Sequence, residues 1–229
     1  MKFFTLAALA SLAAATPVAV PQPEAVAEAI ELFERQTLLG SELETGSSAN
    51  CPKAILIFAR GSTEAGTLGT LGIPLGTALK AKYGASNVWV QGVGGPYLAT
   101  LADNFLPRGS SAAAIAEGVR LLNLANTKCP NSKVVSGGYS QGSALMAAAL
   151  SDATSTVRNK VVGTVLFGYT KNQQNDGQVP NYPSDRLEVF CALGDLVCDG
   201  TLIITAAHLS YGDEAAGEAP RFLESKIGS

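Results

Sequence analysis

The sequence predicts an α/β protein: a doubly wound, mostly parallel sheet of five strands with helices between them. Three observations carry the prediction. From residue 53 onward, short apolar runs alternate with segments of helical spacing, the order that builds a parallel sheet. The runs at residues 53–60 and Val161–Phe167 are apolar nearly throughout rather than in alternation, as expected of strands buried on both faces. A third run, Lys133–Tyr139, passes through Gly138-Tyr139-Ser140-Gln141-Gly142 into an alanine-rich segment. That is a strand, a sharp turn and a helix in succession, with small residues where strand and helix must pack closely.

The elements follow in order. Lys2 precedes an apolar stretch from Phe3 to Ala15, so residues 1–16 read as a secretory signal peptide, too short to span a membrane. Residues 17–50, with three prolines, a weak helical pattern at 25–33 and a polar end, read as a propeptide or loosely attached arm; Arg35 is a candidate cleavage position that the sequence does not fix. Residues 51–229 then form one domain with one core. Its first strand is 53–60. A Gly/Thr-rich loop follows, and then a helix over 73–83 with Pro74 in its first turn. Residues 87–91 form the second strand. Residues 110–127 form an amphipathic helix that Ser110 or Ser111 caps. The third strand leads into a helix reaching about Leu150, and Ser155–Lys160 is a second short helical piece. Val161–Phe167 is the fourth strand, and residues 171–185 are polar loop. Residues 187–192 are the fifth strand, and residues 215–226 close the chain as a helix. The segments between strands are too short for a lid domain.

Net charge is −3, only 15% of residues are charged and 47% are hydrophobic. No basic cluster exists, which excludes nucleic acid and anionic membrane as expected partners. No later apolar run is long enough to span a bilayer, so the mature chain is expected to be soluble, and we expect a monomer. Four cysteines in a secreted chain imply disulfides. With one His and no C-x-x-C pair, no metal site is expected. Cys51 and Cys129 both precede strands and so lie at the N-terminal edge of a parallel sheet, whereas Cys191 ends a strand at the opposite edge. The pairing Cys51–Cys129 and Cys191–Cys198 is therefore favoured, because a bridge needs Cα atoms within about 7 Å.

The turn at Ser140 invites a search for a base and an acid. A serine hydroxyl needs a base to become nucleophilic, and His208 is the single histidine. Its apolar surroundings would equally suit a core histidine bonded to the backbone. Of the acids between Ser140 and His208, Asp195 comes directly after the fifth strand, on the edge where the turn opens and inside the Cys191–Cys198 loop. Asp199 is the second choice. A tetrahedral intermediate would be met by the backbone N–H of Gln141, at a helix start, and by Ser62 in the loop after the first strand.

Six segments together resemble the fungal cutinases: Ala59-Arg60-Gly61-Ser62-Thr63-Glu64, Gln91-Gly92-Val93-Gly94-Gly95, Gly138-Tyr139-Ser140-Gln141-Gly142, Phe167-Gly168-Tyr169-Thr170-Lys171, Cys191-x-x-Gly194-Asp195-Leu196-Val197-Cys198 and His208-Leu209. The resemblance covers roughly residues 50–229 and implies a small, lidless α/β-hydrolase-type fold forming a single catalytic domain. It implies Ser140, Asp195 and His208 as catalytic triad, Ser62 and Gln141 as oxyanion hole, and both disulfides as paired above. It adds Asn104 as the support of the oxyanion serine, and Leu101, Leu202, Ile204 and Leu209 as an apolar rim for acyl chains. The function it implies is a secreted serine esterase that hydrolyses cutin, a plant cell-wall polyester, and smaller fatty-acid esters without metal or organic cofactor. An acetylxylan esterase of related fold and a non-catalytic secreted interaction protein are the alternatives. A nucleotide-binding reading fails for want of a G-x-G-x-x-G after a strand or a Walker A lysine.

Overall fold

The computed structural model describes residues 39–229. The expected signal peptide, the helical pattern at 25–33 and the cleavage near Arg35 lie outside the described residues.

Five parallel strands lie in the order β2-β1-β3-β4-β5: β1 Ala54–Ala59, β2 Val88–Gly92, β3 Lys133–Tyr139, β4 Val161–Phe167 and β5 Leu187–Phe190. Parallel neighbours require crossovers; helices supply those before β2, β3 and β4, whereas residues 168–186 cross from β4 to β5 as a loop with two short 3-10 turns. The described helices are α1 Glu42–Thr45, α2 Gly69–Tyr83, α3 Ala112–Lys128, α4 Gln141–Asp152, α5 Ser155–Lys160, α6 Gly212–Ala216 and α7 Glu218–Ile227. Side chains alternate along a strand, so β1 feeds an apolar layer on each face of the sheet, two clusters where the sequence suggested one core. Ile55, Ile57 and Ala59 pack with Leu121 and Leu122 of α3 and Leu145 and Met146 of α4. Ala54, Leu56 and Phe58 pack with Leu71 and Leu75 of α2 and Leu223 of α7. All six residues of β1 are buried, which accounts for its unbroken apolar run.

The strand order reverses between β1 and β3, since the chain steps outward to β2 and then returns to the other side of β1. Loops leaving β1 and β3 therefore diverge at their carboxyl ends and open a crevice there, the usual ligand position in such sheets. Ser62 follows β1 and Ser140 follows β3, so both seryl groups meet at this crevice.

Three local expectations are corrected. Helix α2 begins at Gly69, so Pro74 lies in its second turn, not its first. The C-terminal helix is two helices, because the chain breaks at Gly217 (φ −125°, ψ −70°). Part of the expected arm is docked. Strand β2 is an edge strand with outward-facing donors, and an edge must be covered. Gly92 N–H donates to Gly40 O (2.6 Å) and Val90 N–H to the Glu42 carboxylate (2.6 Å). Leu43 is fully buried in the core. The Lys128 ammonium donates to the carbonyls of Leu43, Glu44 and Gly46 at 2.7–2.9 Å, closing the C-terminal end of α1. Composition hid this, because the fixing groups are one apolar side chain, one backbone carbonyl and single polar side chains rather than an apolar pattern.

Candidate active site

The turn after β3 is built by close approach. A Cβ on Gly142 would lie 2.1 Å from Ala59 O, and one on Gly138 would lie 2.4 Å from Gly142 O, so neither position admits a side chain. Between them Ser140 adopts φ 54°, ψ −119°, outside the ordinary regions for an L-residue. The strain is held by Ser140 N–H donating to Phe167 O (2.9 Å) and Ser143 N–H to Ser140 O (3.0 Å). The result presents the Ser140 hydroxyl at the start of α4, above the sheet edge.

His208 lies on the short turn Ala207–Leu209, reached from β5 by a loop. Its Nε2 is 2.9 Å from Ser140 Oγ, and its Nδ1 is 2.9 Å and 3.0 Å from the two Asp195 oxygens. An ionised carboxylate can only accept, so Nδ1 carries the proton and Nε2 is left to accept from the serine. Asp195 and His208 are each 2% exposed and Ser140 is 8% exposed. Asp195 Oδ1 also accepts from Val197 N–H (3.0 Å), and Oδ2 accepts from the Tyr211 hydroxyl (2.5 Å). The loop carrying Asp195 is closed by the Cys191–Cys198 disulfide, and Cys51 is joined to Cys129. Asp199, the second choice for the acid, is exposed.

Above this line lies the candidate anion pocket. Asn104 Nδ2 donates to Ser62 Oγ (2.9 Å) and to Leu101 O (3.1 Å). With its oxygen accepting from Asn104, the Ser62 hydroxyl has its own proton free for an incoming oxygen. Gln141 is the first residue of α4, so its N–H is one of the donors a helix start leaves unpaired. The loops are fixed to one another. Thr63 N–H donates to Ala99 O (2.9 Å), the Tyr97 hydroxyl to Arg60 O (2.7 Å), and the Gln141 amide to Thr100 O (2.6 Å).

The cleft over Ser140 has a volume of about 340 Å³. Leu101, Leu202, Ile204 and Leu209 line it, as does Phe105, and all five are exposed. The structure thus brings Ser140, His208, Asp195, Ser62, Gln141, Asn104 and the four rim residues to one sheet edge, with the Cys191–Cys198 bridge beside them and the Cys51–Cys129 bridge at the opposite edge. Sequence reasoning missed Phe105, Tyr211, the Tyr139 hydroxyl that donates to His208 O (2.8 Å), and Gly168, whose chain turns beneath the imidazole at φ 53°. Phe105 could have been found, being one residue beyond Asn104 in an exposed apolar stretch. Tyr211 carries no sequence signal, because its role depends on a loop-to-loop contact.

A doubly wound parallel sheet with hydroxyl, imidazole and carboxylate bonded in line at its switch point defines a serine hydrolase of the α/β class. Comparison with known proteins narrows this. The cutinase family model matches residues 50–227. The chain is 55% identical to a cutinase of Didymella rabiei over 230 residues, covering all of both chains. It is 53% identical to a cutinase of Fusarium solani subsp. cucurbitae over 228 residues, 99% of this chain and 97% of the other. The chain belongs to the cutinase family. Among solved structures, Trichoderma reesei cutinase in complex with a phosphonate inhibitor superposes with a TM-score of 0.68 at 28% identity, covering 90% of this chain and 87% of that one. The catalytic core domain of an acetylxylan esterase from Trichoderma reesei shares the fold, with a TM-score of 0.59 at 20% identity over 77% and 99% of the two chains.

Proposed function

We propose that this serine carboxylic-ester hydrolase cleaves esters of apolar acyl chains, cutin among them, through an acyl-enzyme on Ser140. The observation that carries the reading is the unbroken line from Ser140 Oγ through His208 to Asp195, opening into a cleft with an apolar rim. Ser140 attacks the acyl carbon while His208 Nε2 takes its proton. Asp195 holds the ring and stabilises the imidazolium. Charge on the carbonyl oxygen is met by the N–H of Gln141 and the hydroxyl and N–H of Ser62. The C–O bond to the alcohol breaks as His208 returns the proton to the leaving oxygen. A water, activated in turn by His208, then frees the acid and restores Ser140.

The acyl chain rests on Leu101, Phe105, Leu202, Ile204 and Leu209. No described helix is long and apolar enough to cross a membrane. The two disulfides support secretion into an oxidising space after removal of residues 1–16. The fold shared with acetylxylan esterase keeps that activity as a second reading, which the apolar rim disfavours. Ser140→Ala should reduce hydrolysis of p-nitrophenyl butyrate by about 10⁴-fold or more. Retained hydrolysis would sink the mechanism, and faster release of acetate from acetylated xylan than of fatty acid from cutin would favour the second reading.

A further inference from the structure

The hydroxyl of Tyr211 lies between two fixed groups. Ala192 N–H donates to it at 3.0 Å, and it lies 2.5 Å from Asp195 Oδ2. The polarity of this chain is determined: a backbone N–H can only donate, so the phenol accepts from Ala192 and directs its own proton to the carboxylate. Tyr211 is 1% exposed, and its ring meets the His208 ring edge-on at 6.4 Å and 88° and the Tyr139 ring at 6.2 Å and 66°. The orientation of the phenol is thus imposed by packing on one side and by the backbone on the other.

We propose that Tyr211 is a positioning residue of the reacting set: its hydroxyl fixes the Asp195 carboxylate and limits how much negative charge that carboxylate presents to His208. This rests on the reading of Ser140, His208 and Asp195 as the catalytic line. Both carboxylate oxygens lie within hydrogen-bond distance of His208 Nδ1, and one of them, Oδ2, also accepts from Tyr211. A second strong donor on that oxygen shares the charge that would otherwise stabilise the imidazolium. Burial, and then the bond to Asp195, raise the Tyr211 phenol above its ordinary range, so it stays protonated and donating throughout neutral pH. The titratable groups around the hydroxyl are Asp195, His208 and Tyr139, with Glu64 the further carboxylate that Tyr139 senses.

The sign of the effect follows. Without the hydroxyl, Asp195 holds more unshared charge, the imidazolium is stabilised, and His208 loses its proton at higher pH. The acid limb of kcat/KM, which reports the free base, then moves upward. The carboxylate also loses one of its anchors, and kcat falls.

The test compares the parent with Tyr211→Phe, with Tyr182→Phe, and with protein carrying 3-fluorotyrosine at position 211, whose more acidic phenol is a stronger donor. Tyr182 is a control because its buried hydroxyl donates to Val161 O at 3.0 Å, on another part of the sheet. With p-nitrophenyl butyrate, Tyr211→Phe should lower kcat about tenfold, leave KM within about twofold, and move the acid limb up by about half a pH unit. The fluorotyrosine protein should move the limb downward at near-parental kcat. Tyr182→Phe should lower Tm and move neither. If Tyr211→Phe keeps parental kcat and limb while Tm falls as in Tyr182→Phe, the hydroxyl serves folding alone and the proposal is overturned. If that variant does not fold, the fluorotyrosine protein decides, and an unmoved limb overturns the proposal. Failure of the catalytic reading itself is distinct, since it appears as hydrolysis surviving Ser140→Ala.

Discussion

At the residue scale, the site depends on two backbone positions in the left-handed half of conformational space. Ser140 accepts φ 54° although it carries a Cβ, a strain of roughly 1–3 kcal/mol. Gly168 takes φ 53° without that penalty, but a side chain there is excluded for another reason. A Cβ would stand 2.6 Å from His208 Cε1, 2.8 Å from Nδ1 and 3.1 Å from Asp195 Oδ2. Gly168 also donates its N–H to Phe190 O (2.9 Å), so the backbone cannot withdraw without breaking the β4–β5 edge. The imidazole must therefore move. Gly168→Ala should lower kcat by about 10²-fold, since a misplacement of about 1 Å is enough for that. It should also reduce stability by about 1 kcal/mol or more through the left-handed alanine. Steady-state kinetics and a thermal melt check both, and a variant with parental kcat would show that the ring does not rest on this glycine.

At the element scale, the loop after β1 is held by Glu64. Its Oε2 accepts from Gly61 N–H (2.6 Å), and its Oε1 accepts from Thr70 N–H (2.8 Å) and the Thr70 hydroxyl (2.5 Å). No side chain caps α2 at Leu68, so Glu64 does that work from the loop and ties the helix start to the residue before Ser62. Glu64→Gln keeps one acceptor oxygen and loses the second. It should lower stability by about 1–2 kcal/mol, or roughly 3–6 °C in Tm for a chain of this size. On the oxyanion role proposed for Ser62, it should also lower kcat about fivefold at unchanged KM, because the Ser62 donors are no longer held in place. A fall in Tm with unchanged kcat would restrict Glu64 to the helix.

The same element shows where sequence reading succeeds. Strands β1 and β4 were legible because they are apolar almost throughout, and β2, β3 and β5 because short runs with Val, Trp or Phe recur between helical segments. Ser140, His208 and Asp195 were legible because a strained turn, a single histidine and a loop closed by disulfide each leave few choices. Glu64, Tyr211 and the docked residues 40–46 were not, since each acts through a few specific hydrogen bonds that only the folded loops bring together, and such bonds leave no periodic trace. Gly217 was passed over because the residues around it keep helical spacing across the break.

At the scale of the whole molecule, the two disulfides divide stability from geometry. Cys51–Cys129 spans 78 residues and joins the start of the sheet to the end of α3, beside the Lys128 ammonium that holds the α1 carbonyls. Cys191–Cys198 spans 7 residues and encloses Asp195. In the chain-entropy description the long loop is worth about 4.5 kcal/mol and the short one about 2.5 kcal/mol. The functional order is the reverse. The long bridge lies at the N-terminal edge of the sheet, away from Ser140, whereas the short one fixes the turn that aims the carboxylate at His208. Replacing Cys51 and Cys129 by serine should therefore lower Tm by roughly 10 °C or more while kcat well below the melt stays within about threefold of the parent. Replacing Cys191 and Cys198 by serine should lower Tm less and kcat more, by about tenfold or beyond, because Asp195 then samples orientations that do not bond Nδ1. Melting and kinetics on both double variants, each at a temperature where the protein is folded, decide the matter. Equal losses of kcat would mean that the sheet transmits the long bridge to the triad, and that stability and geometry are not separable in this fold.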